Sequence, residues 1–328
     1  MSRTLALAAA LALALTPAAV RAEPLDIRLQ NLGAPSASVW TNIDSRFGSG
    51  ALSAQDAAAL ASEAKTRFAI LSVETGLALS SAILQPAATN GVAGWDVGFE
   101  GTYSPIHDDV VGQTSLGTDF APRSPWQTKG APPSALLLAS LHVRKALPFS
   151  VEVGGRAIYM SQSNYYAGQA EAKIALVEGY KKWPDVAVRA AYTAMVGHPT
   201  WNLGTSELDG MVSKRMSMGG ISGITPYLAL RWCRVSASSE KLDFAPEIPA
   251  TTPASMSASQ AAFPKLNASM LRYTLGARFS TAAVSMGLEL TYLPSKSLSG
   301  EQNPTADQYP TVKIASSFGG SFRLGWDF

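Results

Sequence analysis

The C-terminal residues 314–328 read IASSFGGSFRLGWDF and alternate between two kinds of side chain up to the last residue. From position 314, every second residue is Ile, Ser, Phe, Gly, Phe, Leu, Trp and finally Phe, whereas the residues between them are small, polar or charged. Successive side chains of a β-strand point to opposite faces. The stretch therefore predicts a strand with one apolar face, which ends in two aromatic residues, and one polar face.

A strand of this kind that stops on Phe328 resembles the C-terminal strand of bacterial outer-membrane β-barrels. In that class the terminal aromatic residues, here Trp326 and Phe328, act as a sorting signal. The resemblance implies that the chain lies in the outer membrane of a Gram-negative bacterium. Its implied partners are the barrel-assembly machinery, outer-membrane lipid and lipopolysaccharide.

The N-terminus predicts export. Arg3 precedes an apolar Ala/Leu run over residues 5–15, which is too short to cross a membrane as a helix. Small residues occupy the third and first positions before Glu23, as in signal-peptide cleavage sites. We expect a signal peptide over residues 1–22 that is cleaved before Glu23. A retained N-terminal anchor is the alternative.

Composition narrows the class of the exported chain. Charged residues make up 15% of it, against about 25% in soluble proteins, and no later stretch is long and apolar enough for a helical span. The net charge of +2 is too small to indicate nucleic-acid binding. Cys233 is the one cysteine, so no internal disulfide can form. These features favour membrane-spanning strands, each of which needs only about ten residues.

The first part of the mature chain has a different pattern from the rest. Ser53 is a candidate N-cap and Asp56 completes a weak capping box before apolar residues with helical spacing. Residues 71–79 also alternate as a strand would, so both structures remain open there. We predict an N-terminal helical segment over residues 23–90, which either plugs the barrel mouth or packs on the periplasmic side.

From residue 94 onward, period-two alternation recurs in segments of strand length. Residues 200–216 alternate poorly and also fit a loop or a lumen-filling segment; counting them as a strand gives about ten strands. Pairing by residues 69–82 and part of 107–121 would give twelve. The predicted fold class is all-β, a transmembrane antiparallel β-barrel of about 10–12 strands over residues 91–328.

Connections and aromatic residues predict the orientation of the barrel. With the C-terminus in the periplasm, the long polar connections 104–133, 237–265 and 296–311 fall outside and the short turns fall inside, as outer-membrane barrels require. Aromatic residues also fall near the strand ends, which predicts two belts at the membrane interfaces. The predicted periplasmic belt contains Trp95, Phe149, Trp183, Phe279, Trp326 and Phe328, and the outer belt contains Tyr103, Tyr159, Trp232 and Tyr292.

Charged residues of the strands fall on the face that points into the barrel. A charge on the lipid face near the midplane would cost roughly 2–4 kcal/mol, so this placement is expected. The interpretations are a structural Arg–Glu network that fills the lumen, or a cationic constriction that selects anions. Asp96 and Glu171 fall on this face as well. The predicted lumen-lining residues are Arg144, Arg156, Arg189, Arg231, Arg272, Arg278, Arg323, Glu100, Glu152 and Glu289.

Catalysis finds little support, and we predict no enzyme, no cofactor and no metal site. Outer-membrane phospholipases carry a strand His followed by Ser and Asn at set spacings. From His142 these spacings lead to Glu152 and Arg156 instead. The outer-loop pair Asp108 and Asp109 is the remaining alternative, since outer-membrane aspartyl proteases use paired acids.

The first functional hypothesis is a passive outer-membrane channel for a small solute that is hydrophobic or anionic. Apolar outer-loop residues such as Phe244, Ile248 and Phe263 resemble those of hydrophobic-compound channels of the long-chain fatty-acid type. Those channels have more strands, and their N-terminal motif is not found here. The alternative is a non-transporting barrel, structural or adhesin-type, whose lumen is closed by the Arg–Glu network and the N-terminal segment.

Overall fold

The computed structural model describes residues 25, 27–47, 52–80, 82–107, 124–126, 134–219, 221–246, 259–298 and 309–328. The predicted signal peptide and the pair Asp108 and Asp109 lie outside the described residues. So does Ile248.

Ten long antiparallel strands of the described residues form one closed sheet. Each strand pairs with the next along the chain, and the last strand pairs with the first, which closes a barrel and leaves no free edge. This confirms the predicted fold class at its lower strand number. The strands are β1 Trp95–Pro105, β2 Ala135–Leu147, β3 Val151–Met160, β4 Tyr166–Val177, β5 Asp185–Val196, β6 Trp201–Ser213, β7 Gly223–Ser239, β8 Leu266–Thr281, β9 Val284–Leu293 and β10 Ser317–Asp327.

Three local expectations are decided by this pairing. The poorly alternating stretch forms β6, and residues 69–79 are helical, so they add no strand. The C-terminal alternating stretch forms part of the barrel wall only from Ser317 onward. Ile314, predicted on the apolar outer face, instead lies buried in a short strand, Val312–Ile314, that pairs with Lys296–Leu298 outside the barrel wall.

The strands alternate between lipid and lumen as the sequence predicts. On β10, the Phe322 and Trp326 side chains are 59% and 40% exposed on the outer face, whereas Arg323 between them is 2% exposed. On β9, Leu288 points outward and Glu289 inward. The barrel wall is therefore apolar outside and charged inside, which suits a wall that separates lipid from a polar lumen.

The two ends of the barrel differ in the length of their connections. At the end that holds the C-terminus, the strands are joined by residues 148–150, 178–184, 214–222 and 282–283. At the other end, three connections, 106–134, 240–265 and 294–316, are much longer. Outer-membrane barrels carry their longer connections on the outer side, so this asymmetry agrees with the predicted orientation, in which the C-terminus lies in the periplasm. The two ends are called the outer end and the periplasmic end below.

Helical structure lies at the outer end. A 3₁₀ helix, Leu29–Leu32, precedes α1 Ala37–Phe47 and α2 Ala54–Leu79. Ser53 caps α2 as predicted, because its Oγ accepts a hydrogen bond from the Asp56 N–H at 3.1 Å. None of the described helices is long and apolar enough to cross a membrane.

The C-terminal half of α2 lies inside the outer part of the barrel. It is buried on nearly all sides, which explains why its sequence shows no clean amphipathic stripe. A Cβ at Gly76 would lie 2.6 Å from Val235 Cγ1, so glycine allows the helix to approach β7. Further out, the Phe68 ring stacks on Phe263 with centroids 4.4 Å apart and joins α2 to the outer connections.

Deleting Phe328 is expected to reduce the amount of assembled barrel in the outer membrane. Its backbone closes the barrel: the Trp95 N–H donates to the Phe328 carbonyl at 2.6 Å, and the Phe328 N–H donates to the Trp95 carbonyl at 2.9 Å. Its ring is the last residue of the predicted sorting signal. The measurement is the heat-modifiable band on semi-native gels of outer-membrane fractions. Phe149→Ser, which removes another exposed periplasmic ring, is the control. Normal yield of the Phe328 deletion would contradict the prediction.

Candidate functional site

The structure places all ten predicted lumen-lining residues on the inner face of the barrel wall. Nine are buried and Arg272 is half-buried. Two buried acids were missed by the sequence analysis, Glu207 and Asp209 on β6. Their strand alternates poorly because small residues occupy part of its outer face. The signal that could have found them is two acids spaced two residues apart in a segment of strand length.

Asp96 on β1 holds three arginines from three other strands. Its carboxylate accepts hydrogen bonds from Arg144 at 2.9 Å, from Arg278 at 3.0 Å and from Arg323. The Asp96 side chain is fully buried. A charge this deep is stable only when oppositely charged donors surround it. The group therefore ties β1 to β2, β8 and β10 at the periplasmic half of the lumen.

A histidine links the next two acids. His142 Nδ1 lies 2.9 Å from a Glu100 oxygen, and its Nε2 lies 3.0 Å from a Glu171 oxygen. Arg156 Nε adds an ion pair to Glu100 at 2.8 Å.

A second cluster joins β5, β6 and β7, where Arg189 and Arg231 bind Glu207 and Asp209, the two acids that were not predicted. Arg189 Nε and Arg231 Nε lie 2.7 Å and 2.6 Å from the Asp209 oxygens, and Arg189 also reaches Glu207 at 2.9 Å.

Beyond the helix, Ser80 and residues 82–90 lie in the lumen and are here called the threaded segment. It begins where two arginines cap the C-terminus of α2. Arg272 donates to the carbonyls of Leu77 and Ser80 at 2.8 Å and 2.9 Å, and Arg231 donates to the Ser80 carbonyl at 2.7 Å. Cations are favoured at this end of a helix, where the last carbonyls lack partners.

Glu289 holds the middle of the threaded segment. Its two carboxylate oxygens accept the backbone N–H groups of Ile83 at 3.1 Å and Leu84 at 2.7 Å, and Tyr227 donates its hydroxyl at 2.8 Å. Under the interpretation of an Arg–Glu network, this acid would pair with an arginine. The structure uses backbone donors instead, so Glu289 acts as an anchor for the threaded segment.

The last part of the threaded segment is bound in the same way. Lys173 donates to the carbonyls of Pro86 at 3.3 Å and Ala88 at 3.0 Å. The Asn90 N–H donates to Glu152 at 3.3 Å. Because the threaded segment has no sheet or helix partners of its own, lumen side chains satisfy its buried backbone groups. It reaches the periplasmic end, where β1 begins.

At the outer end, α2 is fastened to the connection between β1 and β2. Glu74 accepts a hydrogen bond from Trp126 Nε1 at 2.6 Å, and its other oxygen lies 3.0 Å from His107 Nδ1. Burial raises the pKa of the Glu74 carboxyl above its ordinary value, although these hydrogen bonds act in the opposite sense. The contact fixes the helix against the outer rim.

Aromatic side chains ring the outer face of the barrel at both ends. Trp232 and Tyr273 are 42% and 47% exposed towards the outer end, and Trp326 and Phe328 are exposed at the periplasmic end. Between the belts the exposed side chains are mostly leucine, valine and phenylalanine. A closed wall with this surface is suited to lipid and not to water. This chain is an outer-membrane β-barrel.

Comparison with known proteins leaves the subfamily of this outer-membrane barrel open. No protein-family profile and no curated protein sequence matches the chain. Among solved structures, the attachment invasion locus protein Ail of Yersinia pestis is similar over 73% of this chain and 100% of its own, with 9% identity and a TM-score of 0.24. The outer-membrane protease OmpT of Escherichia coli is similar over 73% and 96%, with 7% identity and a TM-score of 0.30.

The charges of the lumen are almost equal in number and lie against one another. Its cations and acids are bound to each other or to the threaded segment, so the arrangement binds a piece of its own chain. No group of three or more metal-ligating side chains gathers among the described residues. The cations are Arg144, Arg156, Lys173, Arg189, Arg231, Arg272, Arg278 and Arg323, and the acids are Asp96, Glu100, Glu152, Glu171, Glu207, Asp209 and Glu289.

Proposed function

We propose that the protein is a non-transporting barrel with a closed lumen, which holds its folded N-terminal segment at the outer surface in a structural or adhesin-type role. The observation that carries the proposal is the bonding of the threaded segment. Lumen side chains bind its backbone at Ser80, Leu84, Ala88 and Asn90, in the periplasmic half of the barrel. A solute could pass only if these buried hydrogen bonds were broken.

The charge distribution supports a filled lumen over an anion-selective constriction. A ring of cations selects anions only if the cations face the passage. Here Arg278 and Arg323 share Asp96, and Arg189 and Arg231 share Asp209. Ten strands enclose little space beyond that taken by their own side chains, and α2 occupies part of it. The proposal includes no chemical step: His142, the strand histidine, is fully buried between two glutamates.

A second candidate is the passive channel for a small hydrophobic or anionic solute, with the threaded segment as a plug. One observation favours it. A polar vestibule of ≈ 370 Å³ opens at the periplasmic end beside the threaded segment and is lined by Arg215, Arg278 and Asp327 among others. The plug is held by hydrogen bonds to lumen side chains, which can exchange for water when it moves.

Single-channel conductance separates the two candidates. We expect the refolded full-length barrel to be silent in planar bilayers, because side chains and the threaded segment fill the lumen. Deletion of residues 23–90 is expected to give a small conductance, since ten-stranded barrels have narrow interiors. Deletion of residues 25–47 is the matched control: it removes α1 but leaves α2 and the threaded segment, and should stay silent. Openings of the full-length protein would contradict the closed-lumen proposal and support the plugged channel.

A further inference from the structure

A polar cavity lies on the outside of the barrel wall, apart from the lumen. It has a volume of ≈ 270 Å³ and is formed where β7, β8 and the short strand after β9 meet. Its lining combines two cationic side chains with an amide and two hydroxyl side chains: Arg234, Lys296, Asn267, Ser269 and Ser297. Lys296 donates to the Ser269 carbonyl at 2.6 Å, which fixes the loop strand against β8.

The strand register gives the height of this cavity in the membrane. Arg234 on β7 lies opposite Ser269 on β8, and the next outward-facing pair towards the periplasm is Trp232 and Leu271. Tyr273 lies two residues after Leu271 on β8, further towards the periplasmic end. Since aromatic belts lie at the level of the lipid headgroups, the cavity begins where the apolar wall ends. Its cations therefore face the headgroup layer of the outer leaflet.

We propose that this cavity binds a phosphate group of an outer-leaflet glycolipid, the lipid A part of lipopolysaccharide. Arg234 and Lys296 supply the two positive charges, and the guanidinium can donate two parallel hydrogen bonds to one phosphate. Basic residues beside a membrane surface favour anionic lipids. The inference rests on the outer-membrane location and is independent of whether the lumen is closed.

Lipid, and not free phosphate, is the source that the surroundings favour. On the periplasmic side of the cavity, the same outer face of β7 and β8 carries Trp232, Leu271 and Tyr273, whose side chains are 37–47% exposed. Those side chains provide an apolar surface for acyl chains directly below the phosphate. A free inorganic anion would use the charges alone and leave this surface without a role.

Binding to the folded, detergent-solubilised full-length protein tests the proposal. The probes are diphosphoryl lipid A, a lipid A analogue without phosphates, and inorganic phosphate, followed by native mass spectrometry and calorimetric titration. We expect the diphosphoryl form to bind at least about tenfold more tightly than the phosphate-free analogue, and Arg234→Gln with Lys296→Gln to abolish that difference. Lys214→Gln, which removes a lysine bonded to backbone carbonyls at the periplasmic end, should leave it unchanged.

Three results would overturn the proposal. They are equal binding of both lipid forms, an unchanged preference in the double variant, and displacement of lipid A by inorganic phosphate at comparable concentration, which would indicate a free-anion site. Folding of each variant is checked by its heat-modifiable gel shift. If the double variant does not fold, Arg234→Lys keeps the charge but loses the paired donors, and an unchanged preference in this variant would also count against the site.

Discussion

Replacing Asp96 with alanine is expected to destabilise the barrel by about 3–5 kcal/mol, the usual cost of leaving buried charges without their partner. The Asp96 carboxylate accepts from Arg144, Arg278 and Arg323, and its side chain is fully buried. Without it, three buried cations lose the acid that they share. The effect is measured as the free energy of unfolding in urea, in lipid vesicles, by tryptophan fluorescence.

The matched control for this change is Glu240→Ala, which removes an exposed acid in an outer connection. Surface acids contribute little, so a change of less than about 1 kcal/mol is expected there. Asp96→Asn keeps the shape of the side chain but loses the charge, and should fall between the two. If Asp96→Ala unfolded at the same urea concentration as the wild type, the structural role of this cluster would be refuted.

Leu288→Arg is expected to destabilise the barrel by roughly 2–4 kcal/mol, because it places a charge against lipid near the middle of the wall. The Leu288 side chain is 69% exposed on the outer face of β9, between Ala277 and Phe322 of the neighbouring strands. The same unfolding measurement applies. A cost close to zero would show that this face does not contact the membrane interior.

The control for the lipid-facing change is a residue on the same face of β9 that lies at the membrane interface and not near the middle of the membrane. Val284 points to the same side at the periplasmic start of β9, where the interface tolerates arginine at a cost of about 0–1 kcal/mol. Val284→Arg should therefore be nearly neutral. Gly287→Arg tests the opposite face, since a Cβ there already lies 3.5 Å from the Leu84 side chain of the threaded segment. That change should disturb the lumen and not the contact with lipid.

Much of the barrel is predictable from the sequence because strand facing is a local property. Residues two apart share a face, so the exposed Leu288 and the buried Glu289 follow from period two alone. The same rule places Arg323 inside and Trp326 outside on β10. It fails at Ile314, because that residue leaves the barrel wall and pairs with an outer connection, a long-range contact that alternation does not encode.

The partners of the lumen charges could not be predicted in the same way. The sequence indicates that Arg144 and Arg278 point inward, but their common partner Asp96 is chosen by strand order and register around the closed wall. Glu289 shows the limit most clearly. An Arg–Glu network would pair it with an arginine, but it binds backbone N–H groups more than two hundred residues away in the sequence.

The sequence by itself determined most of the strands and their two faces, because alternation and turn spacing act over neighbouring residues. The number of strands and the status of residues 200–216 were left open, because they depend on long-range pairing. Only the tertiary structure decided that residues 71–79 are helical and that Ser80 and residues 82–90 lie in the lumen. The α2 helix is surrounded by strands on nearly all sides, so burial removes the amphipathic stripe that would have marked it. The threaded segment has no period at all, because its backbone is satisfied by side chains of distant strands and not by its own neighbours.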